Sequence, residues 1–491
     1  MGRFGFVGGS YTSQARAIAD EECINWYAET LESQGSIVPS KSYGGQTAGT
    51  VLNYYGTEGL SVFSGSLPGI PRGSFYAAGR AFVVAGTEFL EISSTGTTTS
   101  WGTVVSDLNP ASLAFNGIQI LVISGGHAYC FTLATNVLLE VTDQLAGVPL
   151  QCDSSDSYFA VCFVNSNKFQ MSQVLDGNSW PGQLVNEVSV FPDIIVSIIF
   201  NHRELWVFGP KRTQPYQDTG SLEVFDVIPG ALIETGNACT FSAARIDNSV
   251  FWVGLDERGT TIAWRSNGYT PARVSTHAVE VDLNSQKNIG SLVSYSYQRI
   301  GHLFWVLYIP GSQWSWVYDV TQGLWHKRAF WTGAAFRSHH SWNHMFAFGQ
   351  HLVGDWSSPN LYLLSQANLT DNGSVIRRVR RAPTISDEMK RIYHSELRVE
   401  FATGLGPQPP LLDGNNNPRP PQAMLRWSND GGDTFGNEHW RDCGFQGEFS
   451  TFVRWQRLGQ GRRRVYELVV TDPIFWAITD AYLRTGQSQA I

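Results

Sequence analysis

The sequence predicts an all-β protein, and three observations carry that class. Short apolar or alternating runs separated by turn residues fill the chain, while helical periodicity is scarce. The 49 glycines and 21 prolines supply the punctuation for many turns. The strongest runs also recur about every 40 to 50 residues, the period of a four-stranded propeller blade. The expected architecture is a β-propeller of six or seven blades, followed by a second, sandwich-like β platform.

Residues 1–60 form an N-terminal segment in which "CINWYAETL" reads as one amphipathic stretch. This segment is expected to pack on the platform or on a neighbouring subunit. The propeller is placed at 61–365. Its strand runs are "RAFVVAG", "IQILVISGG", "SYFAVCF", "RELWVFG", "SVFWVGL", "HLFWVLYIP" and "HMFAFG", most of them preceded by turn residues such as Ala78-Gly79, Asn116-Gly117 or Asp247-Asn248. No "WD" dipeptide closes the repeats, so they are not of the WD40 type. Past residue 365 the composition changes. "RIYHSELRVEFATG", "AMLRWSNDGGDTF" and "RRRVYELVV" read as strands of a platform domain at 366–491, interrupted by a Pro-rich loop at 405–422.

The stretch "GHLFWVLYIPGSQWSWVYDVTQGLWHKR" carries Trp305, Trp314, Trp316 and Trp325. Trp314 and Trp316 stand two apart and share a strand face. The stretch reads as one blade, with Trp325, His326, Lys327 and Arg328 as the part expected to reach a surface.

At 491 residues the chain is long enough for two domains, and 42% hydrophobic residues suffice for large cores. Only 15% of residues are charged, which suits a protein that hides surface against partners. A formal net charge of −8 argues against tight nucleic-acid binding over the whole surface, yet suits DNA that slides past. The six cysteines form no C-x-x-C pair and read as buried free thiols. The N-terminus lacks the apolar core of a signal peptide, and no run is long enough to span a membrane, so synthesis in the cytoplasm and no membrane anchor are expected.

Candidate chemistry is thin. "SNDGGDTF", Ser428 to Phe435, matches the Asp-box pattern, a hairpin whose Ser and Asp bond the turn backbone above a packed aromatic ring. Asp193, Glu204, Asp256, Glu257 and Glu280 stand in no motif that pairs carboxylates for hydrolysis, and they read as turn formers and strand-end charges. His339, His340, His344 and His351 alternate as on a strand, where residues four apart lie about 13 Å from each other, too far for a shared metal. No phosphate loop, nucleophile elbow or dinucleotide fingerprint occurs. No catalytic residue, cofactor or metal is expected. Two arginine clusters remain: Arg377, Arg378, Arg380 and Arg381, then Arg462, Arg463 and Arg464. Strand alternation would divide each between two faces. Their candidate roles are contact with an acidic neighbouring subunit, phosphate contact in a channel, or a solvated face.

Ordered pieces along the chain resemble one family. They include "INWYAE", "GIPRGSFYAAGRAFVVAG", "ELWVFGPKRTQPYQDTG", "GALIETGNA", "FWVGLDERG", "THAVE" and "RWQRLGQGRRRVYEL", together with the tryptophan-rich stretch. The family is the packaged-DNA stabilisation proteins, the tail hub or nozzle subunits of short-tailed bacteriophages. The resemblance implies a non-enzymatic virion protein, assembled as a homohexameric ring below the tail adaptor of the head-to-tail connector. Such a ring continues the channel for double-stranded DNA, retains the packaged genome and carries attachment surfaces for fibres, spikes or a needle-like plug. The Pro-rich loop departs from the family pattern. The alternative from the residues alone is a propeller that binds or cleaves glycans, using exposed tryptophans as stacking platforms.

Overall fold

The computed structural model describes residues 2–4, 6, 8–16, 19–30, 52–188, 193–219, 225–256, 258–402, 404, 410–449 and 451–487. Part of the Pro-rich loop, residues 405–409, and Glu257 lie outside the described residues.

Seven four-stranded antiparallel blades follow one another around a ring among the described residues; five are separate sheets, and the sixth and seventh are parts of larger ones. Their innermost strands are Pro71–Ala77, Ser112–Phe115, Pro149–Ser155, Ser197–Asn201, Ala244–Ile246, Val293–Arg299 and Ser341–Ala347. Six of the seven apolar runs named above form the second strand of a blade, for instance Gln119–Ser124 and Ser249–Leu255. The reason is positional: a second strand has a strand on each side and a neighbouring blade on each face, so nearly every side chain is buried. "HMFAFG" instead belongs to the first strand of the seventh blade, Ser341–Ala347. The hairpins between first and second strands use paired left-handed residues, as at Ala78–Gly79 (φ 50° and 79°) and Asp247–Asn248 (φ 49° and 53°).

The seventh blade is closed by a strand from far upstream. Gly59–Ser64 pairs antiparallel with Leu361–Ser365 and supplies its fourth strand. Inner strands are tied to one another by side chains that bond the neighbouring strand's backbone. The Asp153 carboxylate accepts from Phe200 N at 2.8 Å, and the Ser154 hydroxyl donates to Phe115 O at 2.7 Å.

The remaining strands build a sandwich. One sheet runs in the order Val453–Gln456, Ile392–Phe401, Ala477–Gln487, Leu52–Gly56 and Trp26–Thr30. The other is continuous with the sixth blade. It passes from Leu324–Trp331 through Cys23–Ile24 to Arg378–Arg381, Arg463–Val470, Gln422–Ser428 and His439–Asp442. Between the two sheets lie Trp26, Leu397, Leu425, Trp455, Leu468 and Trp476.

Two sequence expectations are corrected. "CINWYAETL" is not one stretch but two strands in different sheets, broken at Asn25, whose φ is +59°. Trp325, His326, Lys327 and Arg328 reach no surface: each is at most 4% exposed, because the N-terminal strand Cys23–Ile24 covers the outer edge of their blade.

Candidate functional site: the arginine-laced junction of propeller and sandwich

The tryptophan-rich blade is where the junction begins. Trp314 and Trp316 do share a face, and both indoles donate to one Asp282 carboxylate oxygen, at 3.0 and 2.6 Å. Asp282 comes from the helix His277–Ser285, inserted between the fifth and sixth blades. The Lys327 ammonium lies 3.9 Å from the Trp314 ring centre and 4.9 Å from that of Trp316. It donates to both oxygens of Glu22 at 3.0 and 2.8 Å. Burial pushes the Glu22 carboxyl upward, but Lys327 and Arg381 outweigh it and hold the group below its ordinary value.

Asn25 joins three segments. Its amide nitrogen donates to the carbonyls of Ala329, in the sixth blade, and Arg377, each at 2.8 Å, while its side-chain oxygen accepts from Ala329 N at 2.9 Å. A left-handed turn with a side chain that bonds backbone is what Asn tolerates and most residues do not.

From Asn25 the strand Arg378–Arg381 carries the arginine cluster into the sandwich, and its side chains alternate. On one face Arg381 donates to Glu467 Oε2 at 3.0 and 2.8 Å and to Asp20 at 2.5 Å. Glu467 also accepts from Arg426 Nε at 2.5 Å. Arg381, Glu467 and Arg426 sit directly opposite one another on three adjacent strands, and both guanidiniums lie over the Phe435 ring, at 4.8 and 4.9 Å. Although burial opposes it, Glu467 and Asp20 hold Arg381 above its ordinary value. Arg377 lies 4.8 Å over the Trp331 ring.

On the other face Arg380 donates to the carbonyls of Glu22, Arg381 and Gly8 and to the Tyr54 hydroxyl, between 2.8 and 3.2 Å. Arg378 donates to Thr57 O at 3.2 Å. In the second cluster Arg464 is buried against Asn429 at 2.8 Å and Leu458 O at 2.9 Å, between the rings of Trp427 and Tyr466. Arg462 is exposed and Arg463 half-buried.

Arg378, Arg380 and Arg464 are at most 2% exposed, and the hydrogen bonds they make are to groups of this chain. Arg377, Arg381 and Arg463 are partly covered, which leaves Arg462 as the fully surface-exposed member. The structure brings the first cluster to one junction and sets Arg463 and Arg464 at the start of the strand that pairs with it, beside the Asp-box hairpin.

That hairpin follows its sequence pattern. Gly432 N donates to the Ser428 hydroxyl at 2.9 Å, and Thr434 N donates to Asp430 at 3.0 Å. Burial would raise the Asp430 carboxyl, but the Ser428 and Thr434 hydroxyls hold it down to about 2. Phe435 packs beneath Arg381 and Arg426, so the motif serves the junction. The other candidates stay apart. Glu280 is bonded by Arg273 and by Ser275 at 2.6 Å, Glu204 by Tyr269 at 2.6 Å, and Asp256 by its own turn amides. His344 Nε2 and His351 Nδ1 approach to 3.0 Å, a pairing across a hairpin that same-strand spacing could not reveal. Among the described residues no three potential metal ligands converge.

The acidic run Asp20-Glu21-Glu22 was missed in the sequence. Asp20 clamps Arg381 on the sandwich side, and Glu22 clamps Lys327 on the propeller side. The signal available was three consecutive acids in a chain otherwise poor in charge.

A family model described as the β-propeller of bacteriophage P22 Gp10 matches residues 41–368, and one described as the β-sandwich of the same protein matches residues 377–486. No curated protein matches the chain. Among solved structures the chain is similar to the computationally designed protein Ika8, at 10% identity over 63% of this chain and 99% of that one, with a TM-score of 0.38. YCF48 bound to D1 peptide is similar at 10% identity over 62% and 94%, TM-score 0.40. The β-propeller domain of Cps50 (Swd1) from Myceliophteria thermophila is similar at 8% identity over 62% and 99%, TM-score 0.41.

Proposed function

The chain belongs to the bacteriophage P22 Gp10 family of tail hub proteins, and from that premise we propose that it forms a homohexameric ring below the tail adaptor. In this reading the ring continues the DNA channel, helps retain the packaged genome and presents surfaces to fibres, spikes or a plug. The protein acts as a structural part of the virion and catalyses no reaction.

One observation supports this reading above the others. Both family matches fall on the chain in order, with only residues 369–376 between them. The construction suits the role. A ring part beside a pressurised genome needs domains that do not swivel, and here one sheet continues from the sixth blade into the sandwich. The proposed conduit lies on the axis of the ring, not on that of a single propeller. The acidic balance of the chain would let DNA pass without adhering.

Light scattering of the purified chain, alone and with the tail adaptor, tests this. Assembly to about six times 54.4 kDa is expected in the presence of the adaptor. A chain that stays monomeric with the adaptor and hydrolyses a polysaccharide would overturn the reading in favour of a glycan-cleaving propeller.

A further inference from the structure

We propose that Asp371, buried without a bonded countercharge beside the strand that closes the seventh blade, acts as a proton-gated latch on the joint between that blade and the sandwich. Asp371 lies on the short strand Thr370–Asp371, which runs parallel to the closing strand Gly59–Ser64, opposite Leu60. Arg378 opens the strand that enters the sandwich sheet, opposite Val470. The two residues therefore belong to the two bodies that meet here, and each is 2% exposed.

No hydrogen bond or ion pair joins Asp371 to Arg378 among the described residues. Arg378 spends one nitrogen on Thr57 O, and its side chain presses on Gly56, where a Cβ would stand 2.5 Å from Arg378 Nε. Its Nε and Nη1, and Asp371 Oδ1, have no hydrogen-bond partner among the described residues. An acid and a base buried without a bond gain little from each other and lose their water. Burial pushes the Asp371 carboxyl up to about 7, against the pull of His340, Arg378 and Arg328, and pushes Arg378 down to about 10.

The neighbours are accounted for by their own pairings. Arg328 faces Glu58 at 3.0 Å, with Arg299 at 3.6 Å from the same carboxylate. His340 faces Asp355 at 3.3 Å. Tyr295 and His339 share the Ser341 hydroxyl, at 2.6 and 2.7 Å, and Tyr297 lies beneath Arg328. His326 is held neutral by burial and by Arg328.

The sign follows from where Asp371 prefers its proton. In the closed joint the carboxyl titrates near 7; once released into water it titrates near its ordinary 3.8. The closed joint therefore binds the proton more tightly across that window. Raising the pH through it favours release, and above about 7 the effect is complete.

Amide hydrogen exchange of residues 366–381 in the full chain, corrected for intrinsic rates between pH 5.5 and 8.5, tests the latch. The wild-type opening equilibrium is expected to grow by up to about tenfold per pH unit as pH 7 is approached, then level off. In Asp371→Asn the segment is expected to stay protected with no such slope, and the core strand Arg463–Val470 should show none in either protein. A flat wild-type profile, or the same slope in Asp371→Asn, would overturn the proposal. Should that variant not fold, Asp371→Ser carries the same expectation, and the wild-type profile is decisive by itself.

Discussion

Asn25 ties the sixth blade to the segment that leads into the sandwich through one side chain. It turns the chain from one sheet to the other at positive φ and makes three hydrogen bonds to two separate segments. Asn25→Ala removes all three bonds and forces a Cβ-bearing residue without a compensating side chain into the left-handed region. A loss of about 2–4 kcal/mol is expected in denaturant unfolding. Asn25→Gly, which tolerates the turn, should lose less. The opposite case is Ile300, a β-branched residue at φ +45° in an exposed hairpin turn, 70% open to solvent. Ile300→Asn should stabilise by about 1 kcal/mol, seen as a raised thermal midpoint. The four tryptophans were legible as blade residues from their spacing. That Trp314 and Trp316 share one acceptor on a helix some thirty residues upstream was not, because the acceptor is brought there by the fold.

The strands of the junction depend on charges that lie in register. Glu467 is the one carboxylate between Arg381 and Arg426 and is 1% exposed. Glu467→Gln removes the charge between two partly covered guanidiniums, of which Arg381 keeps Asp20, and a destabilisation of about 2–3 kcal/mol is expected, with faster proteolysis of the sandwich. The seventh blade carries a different liability. Burial lowers His344 from its ordinary 6.5 to about 3, with His351 adding to the effect. A histidine kept neutral in the fold but free to protonate when unfolded gives its full contribution above pH 6.5, and that contribution is lost as pH falls from there toward 3. Thermal midpoints should therefore fall with acid below about pH 6.5, and His344→Asn should flatten that limb. Alternation told that each arginine cluster would divide between faces, since side chains on a strand point to opposite sides. It could not tell that both faces of Arg378–Arg381 would be covered, because covering them takes the N-terminal strands on one side and the Phe435 hairpin on the other.

At the scale of the molecule, the fold closes on itself by long-range pairing. The seventh blade lacks its outer strand until residues 59–64 arrive, and the sandwich lacks strands of both sheets without residues 23–30. Deleting residues 1–64 should therefore leave neither domain able to complete its sheets; circular dichroism and gel filtration of the truncated chain should show loss of cooperative folding and aggregation through open strand edges. What the sequence by itself determined was local: the all-β class, the blade period, the hairpin turns and the self-bonded Asp-box, each of which follows from residues a few positions apart. Only the tertiary structure decided the blade count of seven, the identity of the closing strand, the burial of Trp325 to Arg328 and the use of the first arginine cluster as an internal joint. Those depend on which distant segment pairs with which edge. An edge strand carries the same alternation whether it meets water or another strand, so its own residues do not say what will cover it.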